Sequence, residues 1–152
     1  MADYAPKSGT MEWSKNRGGI IEITRPLNWH GISSRHADER AVIGEFGECF
    51  VRELVEGRGH RLHKQERRAC NLPDFRVDAS ETFIEVKAHK TRLPHVWQKA
   101  YFSSMVKMGW KIYIAHPSLR IDREKRMVVC KSITWYKFLP EGKVSRIDGC
   151  PL

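Results

Sequence analysis

The chain has 152 residues, 41% hydrophobic and 30% charged, which is enough for one self-sufficient core and too apolar for disorder throughout. No apolar run is long enough to cross a bilayer and the opening MADYAPKSGT lacks a signal-peptide apolar stretch, so neither a membrane protein nor a conventionally secreted one is expected, and the cytoplasm is. Lys and Arg number 27 against 18 acids, a net charge of +9, which is the electrostatic footprint of a protein with a polyanionic partner.

Residues 1–33 read as an N-terminal arm. They carry Pro6, Gly18, Gly19 and Pro26 around one β-like run at 20–24, and Lys7, Lys15, Arg17 and Arg25 are available to grip nucleic acid or a second subunit. Residues 34–152 read as one domain. The spacing of Ile43, Phe46, Phe50 and Leu54 predicts a helix over 34–56, capped by Ser33 or Ser34 and ended by Gly57 and Gly59. A strand follows at 61–66, then a polar turn at 67–71. Two further β segments, 72–77 and 82–88, are joined by a turn at Asp78-Ala79-Ser80-Glu81. Pro94 opens a second helix with Trp97, Tyr101, Ser104 and Met108 along one face and Gly109 as its stop. The run 110–115 is the clearest strand, closed by His116-Pro117. A basic loop at 118–126, a strand at 127–130, a short helix at 133–139 and an irregular tail complete the reading. The expected fold is α/β, a mixed β-sheet flanked by helices in the order αβββαβ. The four cysteines (Cys49, Cys70, Cys130 and Cys150) have no CxxC spacing and read as reduced thiols.

One constellation carries chemistry. Leu72-Pro73-Asp74-Phe75 is followed by Phe83-Ile84-Glu85-Val86-Lys87. Strand alternation sends Ile84, Val86 and Ala88 to one face and Glu85 and Lys87 to the other, roughly 7 Å apart. Asp74 begins the neighbouring strand and reaches the same place. Two converging carboxylates are costly unless something neutralises them, and hard oxygen ligands select Mg²⁺ or Mn²⁺. Such an ion polarises a phosphate and lowers the pKa of a bound water, while Lys87 stabilises developing charge. A third acid is expected from the long helix. Glu48 lines up with Val55 at the margin of the apolar face, whereas Glu45 lines up with Arg52 on the polar side, so the periodicity favours Glu48. Arg67, Arg68, Lys90, Arg92, Lys99 and Lys107 can form a basic rim that contacts phosphates.

The set Glu48, Pro73-Asp74 and Glu85-Val86-Lys87 resembles the PD-(D/E)XK nuclease superfamily. Gly44-Glu45-Phe46-Gly47-Glu48 and Arg58-Gly59-His60 look like the opening helix of its archaeal-type Holliday junction resolvases, over about residues 42–116. The resemblance implies a restriction-endonuclease-like core. It implies Asp74, Glu85, Glu48 and the Val86 carbonyl as metal ligands, with Glu48, Asp74, Glu85 and Lys87 catalytic. Gln98 is similar to the glutamine of the helix that follows the lysine in several branches. The N-terminal arm, the absence of a Ser/Arg-rich stretch after Lys87 and the 118–126 loop depart from the resolvase pattern. The expected function is a Mg²⁺- or Mn²⁺-dependent endonuclease on branched or duplex DNA, acting as a homodimer because two matched nicks need two related sites. The alternatives are a sequence-specific restriction, homing or repair endonuclease, RNA processing by the same site, and a non-catalytic nucleic-acid-binding protein on the same fold.

Overall fold

The computed structural model describes residues 22–66, 72–88 and 96–152. In chain order they form β1 (Ile23–Pro26), a 3-10 turn (Trp29–Gly31), α1 (Ile32–Arg35), α2 (Glu39–Gly57), β2 (Leu62–Lys64), β3 (Phe75–Val77) and β4 (Thr82–Val86). Then come α3 (Val96–Lys107), β5 (Lys111–Asp122), β6 (Met127–Phe138) and β7 (Val144–Ile147). The strands make one seven-stranded sheet in the order β1-β6-β5-β4-β3-β2, with β7 also paired to β6. β4 and β5 are parallel, and α3 is the crossover such a pair requires. The other described pairings are antiparallel. The mixed sheet flanked by helices and the order α2-β2-β3-β4-α3-β5 are as expected.

Both faces of the sheet are covered. Phe46, Phe50, Val51 and Leu54 of α2 pack with Ile84, Ala115 and Trp135 on one face. Phe102 and Met105 of α3 pack with Phe83, Ile112, Ile114 and Phe138 on the other. The middle of β4, from Phe83 to Glu85, is therefore buried, and one of those three positions is a carboxylate. The β3–β4 turn falls where expected. Asp78 takes a left-handed conformation there (φ 54°), one that Asp tolerates, and its Oδ1 accepts from the Arg61 amide at 2.8 Å.

Several expectations are corrected. The helix expected from 34 begins at Glu39 and is capped by Asp38, not Ser33 or Ser34: Asp38 Oδ1 accepts from the Arg40 amide, and His36 is extended and breaks α1 from α2. Val42, not Ile43, starts its buried stripe. β5 runs through His116-Pro117 to Asp122: Pro117 lies beyond the last β4 partner, on an edge that asks no N–H of it. Residues 133–138 are strand, not helix, in keeping with the β-forming Ile133, Thr134, Trp135, Tyr136 and Phe138, and β7 gives order to part of the tail. The line Trp97, Tyr101 and Ser104 of α3, with Met108 just past its end, faces outward, since Phe102 and Met105 take the sheet side.

Residues 23–33, expected within the arm, belong to the sheet and core. β1 pairs with β6, and Trp29 and Ile32 are buried against α2. Arg25 is fully buried and forks onto the Glu53 carboxylate with two contacts of 2.7 Å, so it cannot grip nucleic acid. Lys7, Lys15 and Arg17 lie outside the described residues. Cys49 and Cys130 are free thiols; burial pushes Cys49 up to about 11 and Cys130 up to about 12. No described helix is long and apolar enough to cross a membrane.

Candidate active site

β4 supplies the centre. Phe83 and Glu85 project toward α3, between the two faces' alternation partners Ile84 and Val86. Glu85 stands beside Ile114 in the parallel register and is 3% exposed. Its carboxylate is nonetheless fully engaged. Oε1 accepts from the Asp74 amide at 3.1 Å, and Oε2 accepts from Gln98 Nε2 at 3.0 Å and lies 3.1 Å from Lys87 Nζ. Burial, then the neighbouring Asp74 charge, raise the Glu85 pKa well above the ordinary carboxylate range, against the opposing pull of Lys87.

Asp74 enters from the start of β3. Its Oδ2 accepts from the Val86 amide at 2.8 Å, which ties the two acids together across neighbouring strands in both directions. Gln98, on the inner side of α3, closes a small ring: its Oε1 accepts from Lys87 Nζ at 3.1 Å while its Nε2 donates to Glu85. The backbone of Lys87 is anchored as well. Its amide donates to the Ala115 carbonyl at 2.9 Å, and its carbonyl accepts from His116 Nδ1.

Glu48 comes from α2, on the far side of Asp74. It pairs with Lys64 of β2, whose ammonium also lies 3.7 Å from Asp74 Oδ1 and 5.3 Å from the Phe75 ring centroid. Glu45 points elsewhere, to Arg35 and His36. The approach of α2 depends on Gly47. A Cβ there would stand 2.8 Å from the Ala88 Cβ and 3.2 Å from Pro117 Cγ.

The fold thus gathers Asp74, Glu85, Lys87 and Gln98 directly, and Glu48 through Lys64. Lys99 is not brought to the acids; it lies about 100° around α3 from Gln98, with its stem beside Gly142 of the β6–β7 turn. Arg67, Arg68, Lys90 and Arg92 lie outside the described residues. Sequence reasoning missed Lys64 and His116. The signal for Lys64 was the β2–β3 register, which sets it opposite Phe75 and next to Asp74, and register is not written in a three-residue strand.

Among the described residues no three His, Cys, Asp or Glu side chains are grouped so as to hold a metal by themselves. The donor set still suits a hard dication: two hydrogen-bonded carboxylates, one of them buried, whose mutual repulsion and desolvation a bound cation would relieve. No protein-family description matches the chain, and neither the curated proteins nor the solved structures yield a match.

Proposed function

We propose that the protein is a metal-dependent endonuclease with a restriction-endonuclease-like core, related to the PD-(D/E)XK nucleases, that hydrolyses phosphodiester bonds in branched DNA as a homodimer. One observation carries the reading. A buried carboxylate, Glu85, is held by Asp74, Gln98 and Lys87 at once, on a chain of net charge +9. A buried acid is expensive, and a site that spends two acids and a lysine on one point has a use for their charge.

Asp74 and Glu85, with the Val86 carbonyl, would hold Mg²⁺ or Mn²⁺, which supplies Lewis-acid polarisation of the phosphate and acidifies water. The chain's own residues do the rest. Lys87 stabilises the charge that grows on the phosphate oxygens. Gln98 fixes the Lys87 ammonium and the Glu85 carboxylate relative to each other. Glu48, steadied by Lys64, orients the attacking water. The water oxygen bonds to phosphorus as the bond to the 3′ oxygen breaks, leaving a 5′-phosphate and a 3′-hydroxyl.

The test is a labelled four-way junction beside linear duplex of the same sequence, with Mg²⁺, Mn²⁺ or EDTA. Paired nicks in the junction that need metal are expected. Asp74→Ala and Lys87→Ala each lower the rate by about 100-fold or more, on the scale of losing one charge-stabilising group. Cleavage of the duplex alone would replace the junction with a sequence-specific site. Tight binding without cutting under either metal would overturn the enzyme.

A further inference from the structure

The inner side of α3 meets the sheet through Phe102 and Met105 and reaches the acids through Gln98. The outer line presents Trp97, Tyr101 and Met108 at 71%, 42% and 69% exposure. Trp97 and Tyr101 are four residues apart, so they stand one above the other with Cβ atoms about 5–6 Å apart. Large aromatic side chains are mostly taken into a core, and two of them exposed on one helical turn mark a contact surface.

Place and charge select what it contacts. Gln98 sits on the same turn as Trp97 and Tyr101 and bonds to Lys87 and Glu85, so the turn that carries the aromatics is anchored at the acids. α3 carries Lys99 and Lys107 and, in its twelve residues, no Asp or Glu. Exposed π-faces on a cationic, carboxylate-free helix are complementary to a polyanion that carries flat rings.

We infer that Trp97 and Tyr101 form a stacking platform for unpaired bases beside the phosphodiester bound at Asp74 and Glu85; the inference rests on the nuclease reading above. Bases inside a continuous duplex keep their faces covered by their neighbours. Only single-stranded, frayed or branch-point nucleotides offer a free face. The platform therefore selects nucleic acid with unpaired nucleotides over uninterrupted duplex.

The experiment titrates the full chain, in EDTA, with labelled oligothymidylate and with blunt duplex of equal length, by anisotropy and tryptophan quenching. Oligothymidylate is expected to quench the wild type. Trp97→Ala and Tyr101→Ala each weaken single-strand binding on the order of tenfold and change duplex binding by less than about twofold, whereas Trp97→Phe keeps most of the affinity. Both side chains are exposed, so the variants should melt like the wild type. Equal weakening on both ligands, or no change on either while the protein still cuts DNA, overturns the platform and leaves the nuclease. A wild type that does not bind oligothymidylate overturns the platform, while the junction assay with Mg²⁺ or Mn²⁺ decides the nuclease separately. A change from dimer to monomer in Trp97→Ala, read by sedimentation, makes this face a contact between copies and overturns the platform as well.

Discussion

Glu85 is the residue on which the site turns, and its protonation should be visible in stability without any substrate. Its pKa in the folded protein is raised, first by burial and then by the charge of Asp74. Below the ordinary carboxylate pKa both the folded and unfolded chains carry the proton, and the group is neutral in its effect. Above it, the unfolded chain releases a proton that the folded chain keeps, so the stability gained from that retained proton declines as pH rises through the raised value. Metal-free protein should therefore lose stability relative to Glu85→Gln between about pH 5 and about pH 8, by at most about 1.4 kcal/mol per unit. Urea denaturation in EDTA at several pH values measures the difference. Parallel curves for the two proteins would mean that Glu85 titrates normally and that its burial costs nothing. Mg²⁺ should raise the melting temperature of the wild type more than that of Glu85→Gln, since a ligand that binds only the folded state stabilises it.

At the scale of elements, the site depends on how closely α2 lies on β4 and β5. Gly47 allows that approach: an added methyl would meet the Ala88 Cβ at 2.8 Å, and a Cβ cannot swing away as a long side chain can. Gly44, one turn earlier, has nothing within 4 Å of the same position. Gly47→Ala should cost about 1–3 kcal/mol through overpacking, and under the proposed nuclease function it should also lower cleavage by moving Glu48 relative to Asp74. Gly44→Ala should be neutral or gain up to about 1 kcal/mol from helix propensity. Denaturation midpoints of the two variants decide the matter, and equal midpoints would show that the helix can shift freely. The Gly-spaced helix was legible in the sequence, as were β3, the β3–β4 turn, β4 and the convergence of Asp74 with Glu85, because alternation and turn chemistry are local signals. The facing of α3 was not. Its two stripes, Trp97–Tyr101–Met108 and Phe102–Met105, are both apolar, and only the sheet beneath chooses between them. Nor was the second half of β6: its first residues, 127–130, read as strand, but 133–138 gives an apolar pattern at either period, and the long pairing with β5 settles it as strand.

At the scale of the whole molecule, the question is what joins the edge strand β1 to the layer that presents the site. Ile23 and Trp29 contribute apolar packing, but the specific tie is Arg25, with no exposure, to Glu53 of α2, whose side chain is 10% exposed. The guanidinium gives two contacts of 2.7 Å to the Glu53 oxygens, donates to the Thr24 carbonyl at 2.7 Å and lies 5.7 Å from the Trp29 ring centroid. A buried pair of this kind gains little over an apolar replacement of both partners, yet losing one partner strands the other charge in a medium that solvates it poorly. Arg25→Met leaves the Glu53 carboxylate without the guanidinium and should cost about 3–5 kcal/mol. Arg25→Met combined with Glu53→Leu should recover most of that loss, since no charge is then buried. Chemical denaturation of the two single variants and the double variant forms the cycle. Recovery in the double variant identifies the cost as stranded charge; a double variant as unstable as the sum of the singles would instead assign it to lost packing between β1 and α2. Because α2 also carries Glu48 and Gly47, under the proposed nuclease function the single variant should lower cleavage below the global unfolding temperature, and the double variant should restore it.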